Sequence, residues 1–183
     1  MSEMKMREVI ESGFRVTVPD ETSFRFCECC AYKSLSGLCL KEMDVGWWDT
    51  GKGKLVFLEL KGREIWRDFD SSKDSAQGHL AKSLRGKLTD TLLMLAAVWI
   101  GTRIGKELKA CLPAHVHQYP NDGNLKFVFL IDTPASRKPM LSPVKDAINK
   151  ELAGRVRLFG VRHVTVVDLE TAREIPLPVQ KQA

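Results

Sequence analysis

Leu55-Val56-Phe57-Leu58-Glu59-Leu60-Lys61 is the stretch on which the fold turns. Four apolar residues run unbroken up to Glu59, and Gly62 follows Lys61. A short, nearly continuous apolar run closed by a glycine predicts a central strand covered on both faces. Side chains alternate along a strand, so Glu59 and Lys61 share one face and Leu60 takes the other. Charges that interrupt a buried strand are costly unless something requires them. The end of this strand is therefore where chemistry is sought first.

Upstream, Asp49-Thr50-Gly51-Lys52-Gly53-Lys54 carries the glycines of a hairpin turn. Leu38 to Trp48 reads as the partner strand, which brings Asp44 toward Glu59. A tighter turn would bring Asp49 there instead. Further upstream, residues 1–13 read as a short helix or arm, Phe14 to Val18 as an alternating strand, and Phe24 to Leu35 as a helix. Downstream, residues 63–74 read as a polar loop. A long helix is predicted from about Ser75 to Ile104, with Leu80, Leu84, Leu88, Leu92, Leu95 and Trp99 at helical spacing. Leu125 to Ile131 is a second buried strand. Ser142-Pro143 has the residues of a helix start, running to about Leu152. Val161 to Leu169 is a last strand, followed by a frayed tail. The sum is an α/β fold, a mixed central sheet flanked by helices. No linker interrupts it, so residues 1–183 read as a single domain.

Composition narrows the classes. With 44% hydrophobic and 28% charged residues, the chain has ordinary globular content. No apolar run approaches the roughly 20 residues of a membrane span; the longest, Leu92 to Ile100, is too short. The opening MSEMKMREVIE lacks the layout of a signal peptide. The 5 cysteines are an odd number, with Cys27, Cys29 and Cys30 crowded together, which does not suit a disulfide framework. Cytoplasmic location is the expectation. The net charge of +5 suits a polyanionic partner without demanding one.

Asp44, Glu59 and Lys61 would place two carboxylates and an ammonium group in one patch. Carboxylate oxygens are the ligands that Mg²⁺ prefers, alongside water and substrate phosphate, and the backbone carbonyl of Leu60 adds another oxygen. A lysine there can orient water and offset charge in the transition state. An acid, a hairpin, an apolar strand ending in E-x-K and then a long helix resemble the PD-(D/E)xK nuclease superfamily. That group includes type II restriction endonucleases and archaeal Holliday-junction resolvases.

The resemblance covers roughly residues 20–131. It implies a restriction-endonuclease-like core and hydrolysis of phosphodiester bonds with Mg²⁺ or Mn²⁺, DNA being the expected substrate. Asp44 matches the first acid, Glu59 the second and Lys61 the lysine, with Asp44, Glu59 and the Leu60 carbonyl as metal ligands. It also makes a homodimer or larger nucleoprotein assembly plausible. Two departures stand out. Met43 sits where the family often has proline, and the additional helical glutamate of many members has only Glu21 and Glu28 as candidates.

The remaining signals are less specific. Lys82, Arg85 and Lys87, with Arg103, Lys106 and Lys109 beyond, make the long helix basic, either as a nucleic-acid contact or as a solvated face. Arg155, Arg157, Arg162 and His163 form a second basic group with the same two readings. Cys27-x-x-Cys30 has zinc spacing, with Cys29, Cys39, His115 and His117 as further ligands, but no second C-x-x-C exists and buried free thiols explain it as well. Trp47 and Trp48 should face opposite sides, and His79 opens the long helix. Two functional classes remain open beside an unrelated α/β protein. One is a Mg²⁺-dependent nuclease. The other is a catalytically inactive nuclease-fold subunit that binds nucleic acid or serves in assembly.

Overall fold

The computed structural model describes residues 5–71 and 76–182. Two sheets lie at its centre. The larger contains β3 (Ser23–Phe24), β4 (Val45–Asp49), β5 (Lys54–Lys61), β6 (Leu125–Ile131) and β7 (Thr165–Val167), hydrogen-bonded in that order. β3, β4 and β5 are antiparallel neighbours, whereas β5, β6 and β7 run parallel. The sheet is therefore mixed, as the sequence predicts. The smaller sheet has the order β1 (Met6–Glu11), β2 (Phe14–Pro19) and β8 (Val179–Lys181), all antiparallel.

Alternation along β5 assigns the layers. Leu55 and Phe57 pack with Leu80, Leu84, Leu88, Leu92 and Leu95 of α3 (Ala76–Ile100) and with Val144, Ile148 and Leu152 of α5 (Lys138–Arg157). Val56, Leu58 and Leu60 pack instead with Val9, Phe14, Val16 and Val18 of the small sheet. One face of the large sheet thus carries helices and the other carries the small sheet. α6 (Leu169–Glu174) contributes Ala172 to the second layer. Gly46 lets β4 lie close under the helix-side core. A Cβ there would meet Phe24 Cζ at 2.6 Å and Phe57 Cε1 at 2.9 Å.

Several boundaries differ from the sequence reading. Residues 6–11 form a strand because Ser12 and Gly13, both at positive φ (52° and 78°), make the two-residue hairpin turn that returns β1 onto β2. The tail pairs onto β2 through β8 rather than fraying. The span 24–35 is broken into the end of β3, a single 3₁₀ turn and α1 (Cys30–Ser36). The expected strand from Leu38 to Trp48 joins the sheet only from Val45 onward, and β4 runs one residue further, to Asp49.

The expected loop at 63–74 contains α2 (Ile65–Ser71), and its residues 72–74 lie outside the described part. The long helix stops at Ile100. Gly101 turns left-handed (φ 72°), and Thr102 caps α4 (Arg103–Lys109) by accepting from the Gly105 amide. α5 begins at Lys138, with Pro143 inside it rather than at its start. The last strand is only Thr165–Val167, because Asp168 caps α6. No single helix among the described residues is long and apolar enough to cross a membrane.

Candidate active site

The register of the β4–β5 hairpin pairs Val45 with Leu58. Continued by one residue, it sets Asp44 across from Glu59 on the helix-facing side. Asp44 is held there by its own backbone and side chain. Its Oδ2 accepts from the Leu60 amide at 2.7 Å, extending the ladder where β4 has ended. Its carbonyl accepts from Arg25 Nε at 2.8 Å. The segment leading to it is tied to α3. Asp90 Oδ2 accepts from the Lys41 amide and Thr91 Oγ1 from the Met43 amide, both at 3.0 Å. Asp90-Thr91, the polar pair just before the apolar run Leu92–Ile100, is thereby explained as the anchor of residues 41–44.

Asp44, Glu59 and Lys61 come together. Lys61 Nζ lies 2.8 Å from Glu59 Oε1. A fourth residue joins them, Lys87 of α3. Its Nζ lies 2.7 Å from Glu59 Oε1 and 3.0 Å from Asp44 Oδ1. The two carboxylates therefore converge on one position of positive charge, and an ammonium group stands in it. Glu59 is fully buried, while the side chains of Lys61 and Lys87 are 20% and 25% exposed. Oε2 of Glu59 is buried and has no hydrogen-bond partner among the described residues.

Burial is the main reason that the Glu59 carboxyl is pushed up to about 7, and the neighbouring Asp44 charge adds to it; Lys61 and Lys87 restrain the rise. Burial also pulls the Lys87 ammonium down, but Glu59 and Asp44 outweigh it and the net shift is upward. Glu42, two residues before Asp44, is a third acid nearby. Burial raises its carboxyl, and Lys87 pulls it back.

The other residues singled out in the sequence fall elsewhere. Asp49 is at the far end of β4, opposite Lys54, where its Oδ1 accepts from the Lys52 amide at 3.1 Å. Glu28 pairs with Arg7, and Glu21 is exposed in a 3₁₀ turn. Of the basic trio, Lys82 is exposed, Arg85 pairs with Glu151 at 2.6 Å, and Lys87 turns inward to the carboxylates. Sequence reasoning missed the inward turn of Lys87, which lies one helical turn before Thr91, the residue that anchors the Asp44 segment.

Among the described residues, no group of three or more His, Cys, Asp and Glu side chains is placed to hold a metal. Trp47 is buried between the sheets, and Trp48 stacks on His115 with ring centres 5.6 Å apart. The His79 side chain lies outside the described part.

The chain matches no family model, no curated protein and no solved structure.

Proposed function

We propose that the protein is a Mg²⁺-dependent nuclease that hydrolyses phosphodiester bonds in DNA. The supporting observation is the convergence of Asp44 and Glu59 on one cation position, with Lys61 against Glu59. The donor set fits the ion. Both acids offer hard oxygens, and the unpartnered Oε2 of Glu59 leaves a buried lone pair for it. Asp44, Glu59 and the Leu60 carbonyl would hold Mg²⁺ or Mn²⁺, and the bound ion would supply Lewis acidity and a more acidic water.

The protein's own residues do the rest. Lys61 keeps positive charge beside the place where the phosphate gains negative charge in the transition state. Lys87 gives up the shared position when the ion enters, since its flexible stem reaches partly exposed surface. Lys82 and Arg85 contact the DNA backbone. The test is cleavage of plasmid, branched and single-stranded DNA with Mg²⁺ or Mn²⁺, for wild type, Glu59→Gln and Lys61→Ala. Wild type should cut, and both variants should lose at least about a hundredfold in rate. Glu59→Gln should also lose metal affinity, whereas Lys61→Ala should keep it.

One observation favours a second reading. The Lys87 ammonium already pairs with both carboxylates. In a nucleic-acid-binding or assembly subunit without catalysis, that internal ion pair would be permanent. Metal titration of wild type and Lys87→Met separates the two. A wild type that takes no metal and cuts nothing, yet binds DNA with a steep salt dependence, would replace the nuclease reading with this one.

A further inference from the structure

The apolar layer between the two sheets ends in a cleft at the edge where β5 begins. Its floor follows from the register. Trp47 of β4 pairs with Val56 of β5, and Val56 with Lys126 of β6, so the three stand side by side on the face toward the small sheet. Lys54, two residues before Val56, lies on the same face, and Lys52 comes from the hairpin turn. Across the cleft are Val18 and Pro19 of β2 and the segment Pro176-Leu177-Pro178. The cavity is about 380 Å³, within the range of small-molecule sites, about 300–1,000 Å³.

Three lysines converge here with one acid among them. Asp49 Oδ2 lies 3.6 Å from Lys52 Nζ, and among the described residues no carboxylate is paired with Lys54 or Lys126. The protein thus holds like charges together at a partly buried place, an arrangement that an anion would relieve. The half-buried Lys126 ammonium is shifted down, first by burial and then by Lys52 and Lys54, with Asp49 opposing. Lys54 and Lys126 also line a neighbouring cleft of about 360 Å³ with Arg162 and His163, so positive charge continues along this edge. The Asp44–Glu59 site lies at the opposite end of β5 and on its other face. The two sites cannot share one bound group.

We propose that this cleft binds a phosphomonoester of about mononucleotide size, its phosphate held by Lys52, Lys54 and Lys126 and its flat apolar part against Trp47, Val56 and the prolines. Lysine is a point-charge phosphate ligand. A ring would find aromatic and proline surface to pack against.

The experiment is calorimetric titration of the whole chain in EDTA, with AMP, adenosine, inorganic phosphate and a 5′-phosphorylated dinucleotide as probes. EDTA keeps metal from capturing phosphate at Asp44 and Glu59. AMP should bind, phosphate more weakly, and adenosine not measurably. Tighter binding of the dinucleotide than of AMP would identify the natural ligand as a 5′-phosphorylated nucleic-acid end, and the reverse as a free nucleotide. Lys54→Met with Lys126→Met keeps the apolar stems and should weaken AMP at least about tenfold. Lys145→Met, an exposed lysine on α5, should leave AMP binding unchanged. If the double variant does not fold, Lys52→Met in the exposed turn carries the test and should weaken AMP several-fold. Failure of both AMP and phosphate to bind at millimolar concentration would overturn the proposal. So would adenosine binding as well as AMP, or AMP affinity indifferent to the lysine variants.

Discussion

The two faces of β5 are built from the same eight-residue strand, Lys54–Lys61, yet place charge at opposite ends. Toward the helices, Leu55 and Phe57 are apolar, and Glu59 and Lys61 follow them. Toward the small sheet, Lys54 comes first, followed by Val56, Leu58 and Leu60. Each face keeps an apolar middle, which supplies the burial that holds the layers together, roughly 1.5–3 kcal/mol for each large aliphatic side chain. Charge is tolerated only at a layer's edge, where counter-ions or solvent can reach it. On the helix side the counter-ions are built in, since Glu59 meets Lys61 and Lys87. On the small-sheet side they are largely missing, since Lys54 and Lys126 share one face with no paired carboxylate among the described residues. A buried charge with built-in partners suggests a site for a cation and water chemistry. A half-buried cluster of like charges suggests a site for an anion from outside.

Glu59 offers the strongest way to break this comparison, because it is the charge set deepest. Its carboxyl is raised from 4.5 to about 7 in the folded chain. Between those values the folded protein holds a proton that the unfolded chain has lost. The contribution of Glu59 therefore makes stability fall as pH rises through that window and level off above it. Gln cannot titrate, so Glu59→Gln should remove the fall. In urea unfolding in EDTA at pH 5 and pH 8, wild type should lose about 2–3 kcal/mol more than the variant. Parallel pH dependence in the two proteins would mean that the internal lysines compensate Glu59 fully.

Thr91 is expected to have the next largest effect, through position rather than charge. Its hydroxyl is completely buried and accepts from the Met43 amide. Thr91→Val keeps the shape and leaves that amide without a partner, which costs about 1–3 kcal/mol. Because Met43 precedes Asp44, the variant should also lower affinity at the proposed Mg²⁺ site with no proposed ligand changed. Calorimetric metal titration beside thermal melting checks both. Lost stability with unchanged metal binding would show that the ladder bond from Leu60 to Asp44 holds the carboxylate unaided.

Much of the helix-facing side was legible in the sequence, because its signals are local and strong. The apolar run at 55–61, the glycine turn, the leucine spacing of α3 and the strand at 125–131 each fix an element without reference to the rest. Asp44, Glu59 and Lys61 follow from that hairpin and the alternation of faces. The small sheet was not legible. In β1 only Val9 is buried, so an edge strand reads as a polar arm. The short β8 has one buried residue, and its pairing with β2 is a contact between distant ends of the chain. Lys87 reads from the sequence as a nucleic-acid contact or as part of a solvated face, both of which point it outward. Its inward turn depends on how α3 crosses β5, which no local pattern encodes. The lysine cleft was missed for the same reason, as Lys52, Lys54 and Lys126 meet only once β6 is laid beside β5.

The smallest effect expected is at that cleft, and its sign is what matters. Lys126 is half-buried beside Lys52 and Lys54, and both burial and these neighbours disfavour its charge in the folded protein. A lysine held below its ordinary value is protonated in both states at neutral pH, so the folded chain alone bears the penalty. That penalty fades as pH rises through the lowered value, where the folded protein sheds a proton that the unfolded chain keeps. Lys126→Met, which retains the stem and loses the charge, should therefore stabilise the unliganded protein at pH 7 rather than weaken it. The gain should stay below about 1 kcal/mol, because the group is partly solvated and water screens it. Raising the salt should shrink the gain, since screening already relieves the repulsion in wild type. Saturating AMP should reverse the order and leave wild type the more stable protein, because the ligand stabilises only the form that binds it. Thermal melting of both proteins at low and high salt, with and without AMP, measures all three. A destabilised Lys126→Met under every condition would mean that the lysine serves as packing for the sheet edge, and the contrast between the two faces of β5 would then lose its electrostatic half.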